Sequence, residues 1–372
     1  MGGSGIIAHE IAHEMARRYG HTIHFVGLQP PYRMDQISNQ CTDQVRFHKI
    51  ILKPYDVFDF QPYVMALASQ LSQLIKKYDI EIIHSHYAIP HALAGILAKQ
   101  IANCTNVRTV TTLHGTDVTI VGSDVTMKPV TRYSILNSNY VVAVSQYLKD
   151  ITVKLLDIPQ EKIEVIPNFI NPARLPNEPK CAQLYKDPMQ KKLILHSSNL
   201  RKIKAPMDVI EIYDKMVKRG LKNSELAILG DGPYKKEMIA RVAELGLTKH
   251  VLFLGERKVI YEELCKANLF LLPSRGEAFG LAALEAMACG VPVVAADMGG
   301  IREVIDHGLN SYLFSEGKLD EAAVLGMKLL NDIDLYNKIS KQAILSSLSK
   351  FPIAKVMAAY ENIYRETSKT SC

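Results

Sequence analysis

Tryptophan is missing from the 372-residue sequence, and cysteine is scarce. The six cysteines, at 41, 104, 181, 265, 289 and 372, contain no CxxC pair. Without such a pair or a recognisable secretory leader they read as reduced thiols of a cytoplasmic protein. No run of five or six like charges occurs, which argues against a nucleic-acid-binding tail. No stretch approaches 18 apolar residues, so no membrane span is expected. No amphipathic stretch rich in Lys and Trp marks a membrane surface, and no short repeat marks a solenoid.

What is present is ordinary globular material. Apolar residues make up 48% of the chain and charged residues 22%, with a net charge of +6. Disorder, collagen and coiled coil are excluded as the main class. The length suits two domains or one large one, either with a sizeable core. Mild positive charge suits an anionic small ligand without proving one.

The apolar period switches repeatedly between short solid runs and helical stripes. Strands are expected at 22–28, 80–86, 107–113, 140–144 and 162–167, with helices near 62–78, 90–103, 127–137 and 146–156. Residues 167–189, rich in Pro, Asn and Lys, break the pattern as a linker does. Alternation then restarts, with strands at 192–198, 225–230, 251–255, 269–274 and 291–296. Helices are expected at 205–219, 234–245, 258–266 and 281–289, and 318–367 reads as mostly helical. Solid Val/Ile/Leu runs between helices predict parallel sheets covered on both faces. The fold class is therefore α/β, with two Rossmann-like, doubly wound domains, 1–170 and 171–351. Ligands of such sheets bind beyond the carboxyl ends of the strands, here in a cleft between the halves.

Several motifs follow strands or open helices. Gly2-Gly3-Ser4-Gly5 precedes a helical pattern and could bring backbone N–H groups to an anion. His9-Glu10-x-x-His13 matches a zinc pattern, but Ala16 replaces the Gly of its extended form, and its polar residues can simply face solvent. His84, His86 and His91 cluster at a strand end, where some of Ser85, His86 and Tyr87 are expected to face the cleft. His114, in Leu113-His114-Gly115-Thr116-Asp117, ends the next strand and suits proton donation or acceptance. Ser198-Asn199-Leu200-Arg201-Lys202-Ile203-Lys204 ends the first strand of the second half, with cations suited to a diphosphate. The segment from Pro273 to Pro292 is the most specific. A loop carries Glu277, a helix opens near Gly280, and Glu285 lies on that helix's apolar stripe. A carboxylate there is costly unless paired or bound to a ligand.

On Glu277-x7-Glu285 within SRGEAFGLAALEAMACGVPVVAADMGGIREVI, supported by ILGDGP at 228–233 and VLFLG at 251–255, the sequence resembles the family-4 glycosyltransferases of GT-B type. GGSG, HSHYAIPHALAGILAKQ, TTLHGTDVTIVGSD, VIPNFI and SNLRKIK resemble, more narrowly, the branch that joins N-acetylglucosamine to the hydroxyl of L-malate in bacillithiol synthesis. The resemblance implies a retaining transferase using UDP-N-acetylglucosamine and L-malate, with no cofactor and no essential metal. It implies an acceptor-binding first domain, with helix 352–372 returning to it, and a donor-binding second domain. Glu285 would hold the ribose hydroxyls and Glu277 the donor sugar, with amides of Phe279, Gly280 and Leu281 along the sugar and diphosphate. Arg201 and Lys204 would neutralise the leaving diphosphate, with Asn199 beside them in the donor site. His114 would sit by the transferred sugar, and Gly3 would approach the phosphate. Ser4, Tyr87 and Thr112 are expected to form the malate pocket.

Two features depart from the family. Asn199 stands where many relatives carry Arg, making Arg201 its expected substitute. The family's first strand, leading into the glycine loop, is apparently missing, so the natural protein is expected to begin some residues earlier, or this chain to be a defective or truncated form. Oligomeric state is left open, with a homodimer among the options. Competing readings are a family member with a lipid or polysaccharide acceptor, a non-catalytic UDP-sugar-binding protein, and a glycoside hydrolase using Glu277 and Glu285.

Overall fold

The computed structural model describes residues 3–30, 44–54, 56–57, 59–176, 190–257 and 260–369. Gly2 of the glycine motif, 177–189 of the linker, and Cys41, Cys181 and Cys372 lie outside them. The chain divides into two units, Gly3–Asn168 together with the segment from Ala354, and Phe169–Ile353.

The first unit runs α1 (Gly3–Tyr19), β1 (Ile23–Gly27), β2 (Val45–Lys49), α2 (Tyr63–Tyr78), β3 (Ile82–His86), α3 (Leu93–Ala102), β4 (Arg108–Leu113), α4 (Lys128–Asn137), β5 (Tyr140–Ala143), α5 (Gln146–Leu156) and β6 (Ile163–Val165). All pairings are parallel. Residues 109–113 of β4 are buried on both faces, as a helix-covered parallel strand requires. Leu67, Ile75, Ala94 and Ala98 from α2 and α3 pack on Ile83 of β3 to form the core on one side. Asp79, Asn103 and Asp157 end α2, α3 and α5 in the left-handed conformation, which short polar side chains tolerate best after glycine.

Two sequence expectations are corrected here. Gly3, Ser4 and Gly5 form the first turn of α1, not a loop ahead of it. His9, Glu10 and Glu14 are buried and do not face solvent; the His9 ring meets those of His13 and Phe25. The strands form two separate sheets, β1-β2 and β3-β4-β5-β6. A doubly wound order has a first strand joining such groups. Among the described residues no strand fills that position.

The second unit runs β7 (Lys192–Ser197), α6 (Pro206–Lys218), β8 (Ser224–Leu229), α7 (Lys235–Glu244), β9 (Val251–Gly255), α8 (Tyr261–Leu264), β10 (Leu269–Leu272), α9 (Leu281–Ala288), β11 (Val293–Ala296), α10 (Ile301–Val304), β12 (Tyr312–Phe314), α11 (Leu319–Asn331) and α12 (Ile333–Lys350). Its sheet order is β9-β8-β7-β10-β11-β12, the doubly wound arrangement with its switch point between β7 and β10. Ile194, Tyr213, Met216, Leu226, Ile228 and Leu269 anchor its core. The last helix, α13 (Ile353–Lys369), returns to the first unit, where Tyr360 and Tyr364 are buried. Cys104 and Cys289 are free thiols, whereas Cys265 is disulfide-bonded, against the expectation of reduced cysteines.

Candidate active site

The switch point of the second unit brings the residues after β7 and β10 side by side. After β7 the chain passes through Ser198, Asn199 and Leu200, the last buried at φ +38°. Two backbone bonds hold this segment, from Tyr234 N–H to Leu200 O (3.2 Å) and from Arg275 N–H to Ile203 O (2.8 Å). Gly230, after β8, packs so closely that a Cβ there would lie 1.9 Å from Ser198 O. Only glycine permits that approach, so close backbone contact is part of what holds this loop.

Lys204 then reaches the loop after β10, donating from Nζ to Glu277 Oε1 at 2.7 Å. Burial alone would raise the Glu277 carboxyl pKa. The Lys204 ammonium, with help from Ser274, outweighs it and holds the carboxyl below its ordinary value. His196 lies beneath. Its Nδ1–H donates to Leu271 O at 2.9 Å, leaving Nε2 to accept from Ser198 Oγ at 2.9 Å. Burial pushes its pKa down to about 4, so it stays neutral and adds no charge beside Glu277. Neither His196 nor Ser274 was singled out from sequence.

Gly280, at φ +98°, opens α9, and a Cβ there would lie 2.4 Å from Ile301 Cδ1. The following amides lack intrahelical acceptors, as at any helix start. Phe279 is buried edge-on to Phe351 at 5.0 Å. Glu285 is buried within α9 and accepts from Tyr261 Oη at 3.4 Å. Arg201 is exposed, and Asn199 Oδ1 is buried with no hydrogen-bond partner among the described residues. The structure thus gathers Asn199, Lys204 and Glu277 around one switch point, with Phe279, Gly280, Leu281 and Glu285 on the loop and helix that follow.

In the first unit the corresponding strand ends belong to β3 and β4. His86 Nδ1 lies 2.9 Å from His114 Nε2. Tyr87 sits at φ +84°, a backbone region that non-glycine residues rarely adopt, with its ring 5.1 Å from that of His114. Its hydroxyl meets Ser4 Oγ at 2.5 Å, so two residues expected in the acceptor pocket are joined. Asp117, buried, accepts from the amides of Ala88 (2.9 Å), Gly115 (3.0 Å) and His114 (3.3 Å). It ties together the turns after β3 and β4. Burial raises its carboxyl pKa, and the amides offset only part of that. Its sequence signal was an Asp two residues beyond a strand-ending glycine, a common turn-forming arrangement.

Thr112 corrects an expectation. It is fully buried, with Oγ1 against His84 Nε2 at 2.8 Å and Tyr360 Oη at 3.4 Å, so it supports the site from behind rather than lining it. Gly3 is exposed at the start of α1.

Among the described residues no group of three or more His, Cys, Asp or Glu side chains is arranged to hold a metal ion, the HExxH helix included. No helix among them is long and apolar enough to cross a membrane.

Comparison with known proteins follows this geometry. Residues 1–174 match the model of Glycosyltransferase Family 4, and residues 182–345 that of Glycosyl transferases group 1. N-acetyl-alpha-D-glucosaminyl L-malate synthase of Bacillus anthracis is 37% identical over 367 residues, covering 98% of this chain and 94% of that protein. An uncharacterised glycosyltransferase of Methanocaldococcus jannaschii is 27% identical, covering 79% of this chain and 78% of its own. Among solved structures, Anabaena HepE in complex with UDP-glucose is similar at TM-score 0.81 and 21% identity, covering 98% of this chain and 96% of that one. Sucrose-phosphate synthase of Thermosynechococcus elongatus has TM-score 0.78 at 19% identity, covering 100% and 94%. At those identities the structures speak for the fold alone. With its two halves matched in turn and a relative aligned along nearly its whole length, this chain belongs to the family-4 glycosyltransferases of the GT-B fold.

Proposed function

We propose that the chain transfers N-acetylglucosamine from UDP-N-acetylglucosamine to the hydroxyl of L-malate with retention of the anomeric configuration. The carrying observation is the switch point between β7 and β10, where the half-buried Lys204 and the buried, charged Glu277 form an ion pair. The near-full-length likeness to the B. anthracis enzyme supports the acceptor. In this reading the second unit holds the donor, Glu285 at the ribose and Glu277 at the sugar. The first unit holds malate beside Ser4 and Tyr87. The malate oxygen attacks the anomeric carbon as the bond to the diphosphate breaks, and the leaving phosphate oxygen takes the hydroxyl proton. Lys204 and Arg201 stabilise the charge that develops there, so the residues act by positioning and electrostatics. That cationic pair supplies the neutralisation for which other transferases use a metal. The reaction, between polar cytosolic metabolites, is assigned to the cytoplasm.

The test is turnover of this chain with UDP-N-acetylglucosamine, with and without L-malate, and mass analysis of the product. Malate-dependent UDP release giving the glucosaminyl-malate mass is expected. Glu285→Gln should raise the KM for the donor by about 10- to 100-fold, the worth of charge-assisted hydrogen bonds to the ribose. UDP binding without turnover would instead favour a binding-only protein, a reading motivated by the divided sheet of the first unit.

A further inference from the structure

His86 and His114 stand at the ends of adjacent parallel strands, where His86 pairs with Thr112 in register. Their nearest nitrogens are 2.9 Å apart, while the ring centroids are 5.1 Å apart and the planes differ by 28°. Nitrogens that close with centroids that distant require the rings to meet edge to edge. The contact is therefore an in-line N–H···N hydrogen bond, not a face-to-face stack. Burial first, then neighbouring imidazoles (His84 and His91 for His86, His86 and His91 for His114), drives both rings well below their ordinary pKa, so both are neutral. Two neutral rings can share only one hydrogen here: two N–H groups would collide, and two lone pairs would repel. The tautomers of His86 and His114 are thus locked to each other. If His86 Nδ1–H donates, His114 carries its own proton on Nδ1. If His114 Nε2–H donates, its Nδ1 is a bare acceptor.

His86 is itself held firmly. His91 Nδ1–H donates to His86 O at 2.5 Å, which makes His91 Nε2 the acceptor of Tyr63 Oη–H at 3.3 Å. The His84 ring packs 4.6 Å away and is fixed between Tyr364 Oη (2.7 Å) and Thr112 Oγ1 (2.8 Å). Asp117 fixes only the backbone of His114, leaving its ring to another partner.

We propose that His86 is a positioning residue for the transfer, fixing through its in-line hydrogen bond the ring plane and tautomer that His114 presents to the sugar. The inference rests on the proposed function for what His114 faces, but the hydrogen bond itself can be measured without turnover. In the full-length protein with 15N-labelled histidine, a nitrogen–nitrogen coupling across the hydrogen bond should join His86 and His114, and His114 should populate one tautomer. His86→Phe should remove the coupling, mix the His114 tautomers and lower kcat by about 10²-fold, the cost typical of a misplaced reacting group. The KM for UDP-N-acetylglucosamine should stay within about twofold. His86→Gln, which can still hydrogen-bond, should recover most of kcat. Absence of the coupling in the unaltered protein overturns the proposal, even if the Phe variant does not fold. So does loss of kcat in His86→Phe with the His114 tautomer unchanged, which would mark a purely structural role. If the unaltered protein has the coupling but no malate-dependent turnover, the hydrogen bond stands, the functional reading fails, and the proposed role in transfer fails with it.

Discussion

At the scale of single residues, the decisive pair is Lys204 with Glu277. A buried carboxylate is tolerable because its cation lies 2.7 Å away. Replacing Lys204 with Met leaves burial as the main influence on Glu277. Its pKa then rises, so the acid form appears at higher pH than in the native protein. The expected outcome is weaker UDP-sugar binding at every pH, with the acid-side loss shifted to higher pH. Calorimetric titrations between pH 4 and 8 check this, and an unshifted acid limb would show that Lys204 does not govern Glu277. The two residues were legible separately, each in a motif that follows a strand and each given its role by the family resemblance, but their contact with one another was not, because no local pattern links positions 73 residues apart. Thr112 was misread for a physical reason. On β4 both faces are buried, so alternation gives no hint of which side chain meets solvent. Asp117 was given no role because its sequence signal, a turn-forming Asp after a glycine, does not say which amides it will bind, and one of them, Ala88, lies 29 residues away.

At the scale of elements, β3, β4 and α13 form one polar layer inside the first unit. His84 bridges Tyr364 and Thr112, and Thr112 also meets Tyr360. This layer was only partly legible. The strand ends were visible in solid apolar runs, but the helix that closes over them comes some 240 residues after β4 begins, and no local pattern announces its partner. Its chemistry fixes a pH dependence. Burial first, with His114 adding, lowers the His84 pKa from 6.5 to about 3. The folded form therefore binds fewer protons than the unfolded form below pH 6.5. The stabilisation is fully present above 6.5 and is lost as pH falls from there towards 3. At pH 5 the loss from His84 alone is about 2 kcal/mol. Urea denaturation of the first unit, followed at pH 8 and pH 5, should show that loss, and His84→Asn should reduce it. Equal acid sensitivity in the variant would assign the effect to other groups.

At the scale of the whole molecule, chain order and structural order disagree. The segment from Ala354 follows the second unit in sequence and belongs to the first in structure. What it supplies there is substantial: buried Tyr360 and Tyr364, and Glu361, whose carboxylate takes His21 at 2.6 Å and Arg365 at 2.5 Å. Burial of that carboxylate costs free energy, and the two partners more than offset it, holding its pKa below the ordinary value. Removing the chain beyond Ile353 would uncover His21, His84 and Thr112 together, leaving their polar atoms without these partners and the apolar surface around Tyr360 open to water. The second unit keeps its six-stranded sheet, its core and its switch point through the same cut, because none of them draws on α13. The expected result is selective. The truncated chain should lose protection from hydrogen exchange across β3 and β4, while UDP still binds within about tenfold of the intact affinity and protects the loops after β7 and β10. A truncation that abolished UDP binding would mean the second unit depends on the first for its fold. One that left β3 and β4 fully protected would mean α13 is an accessory to the first unit, contrary to the buried hydrogen bonds it makes there.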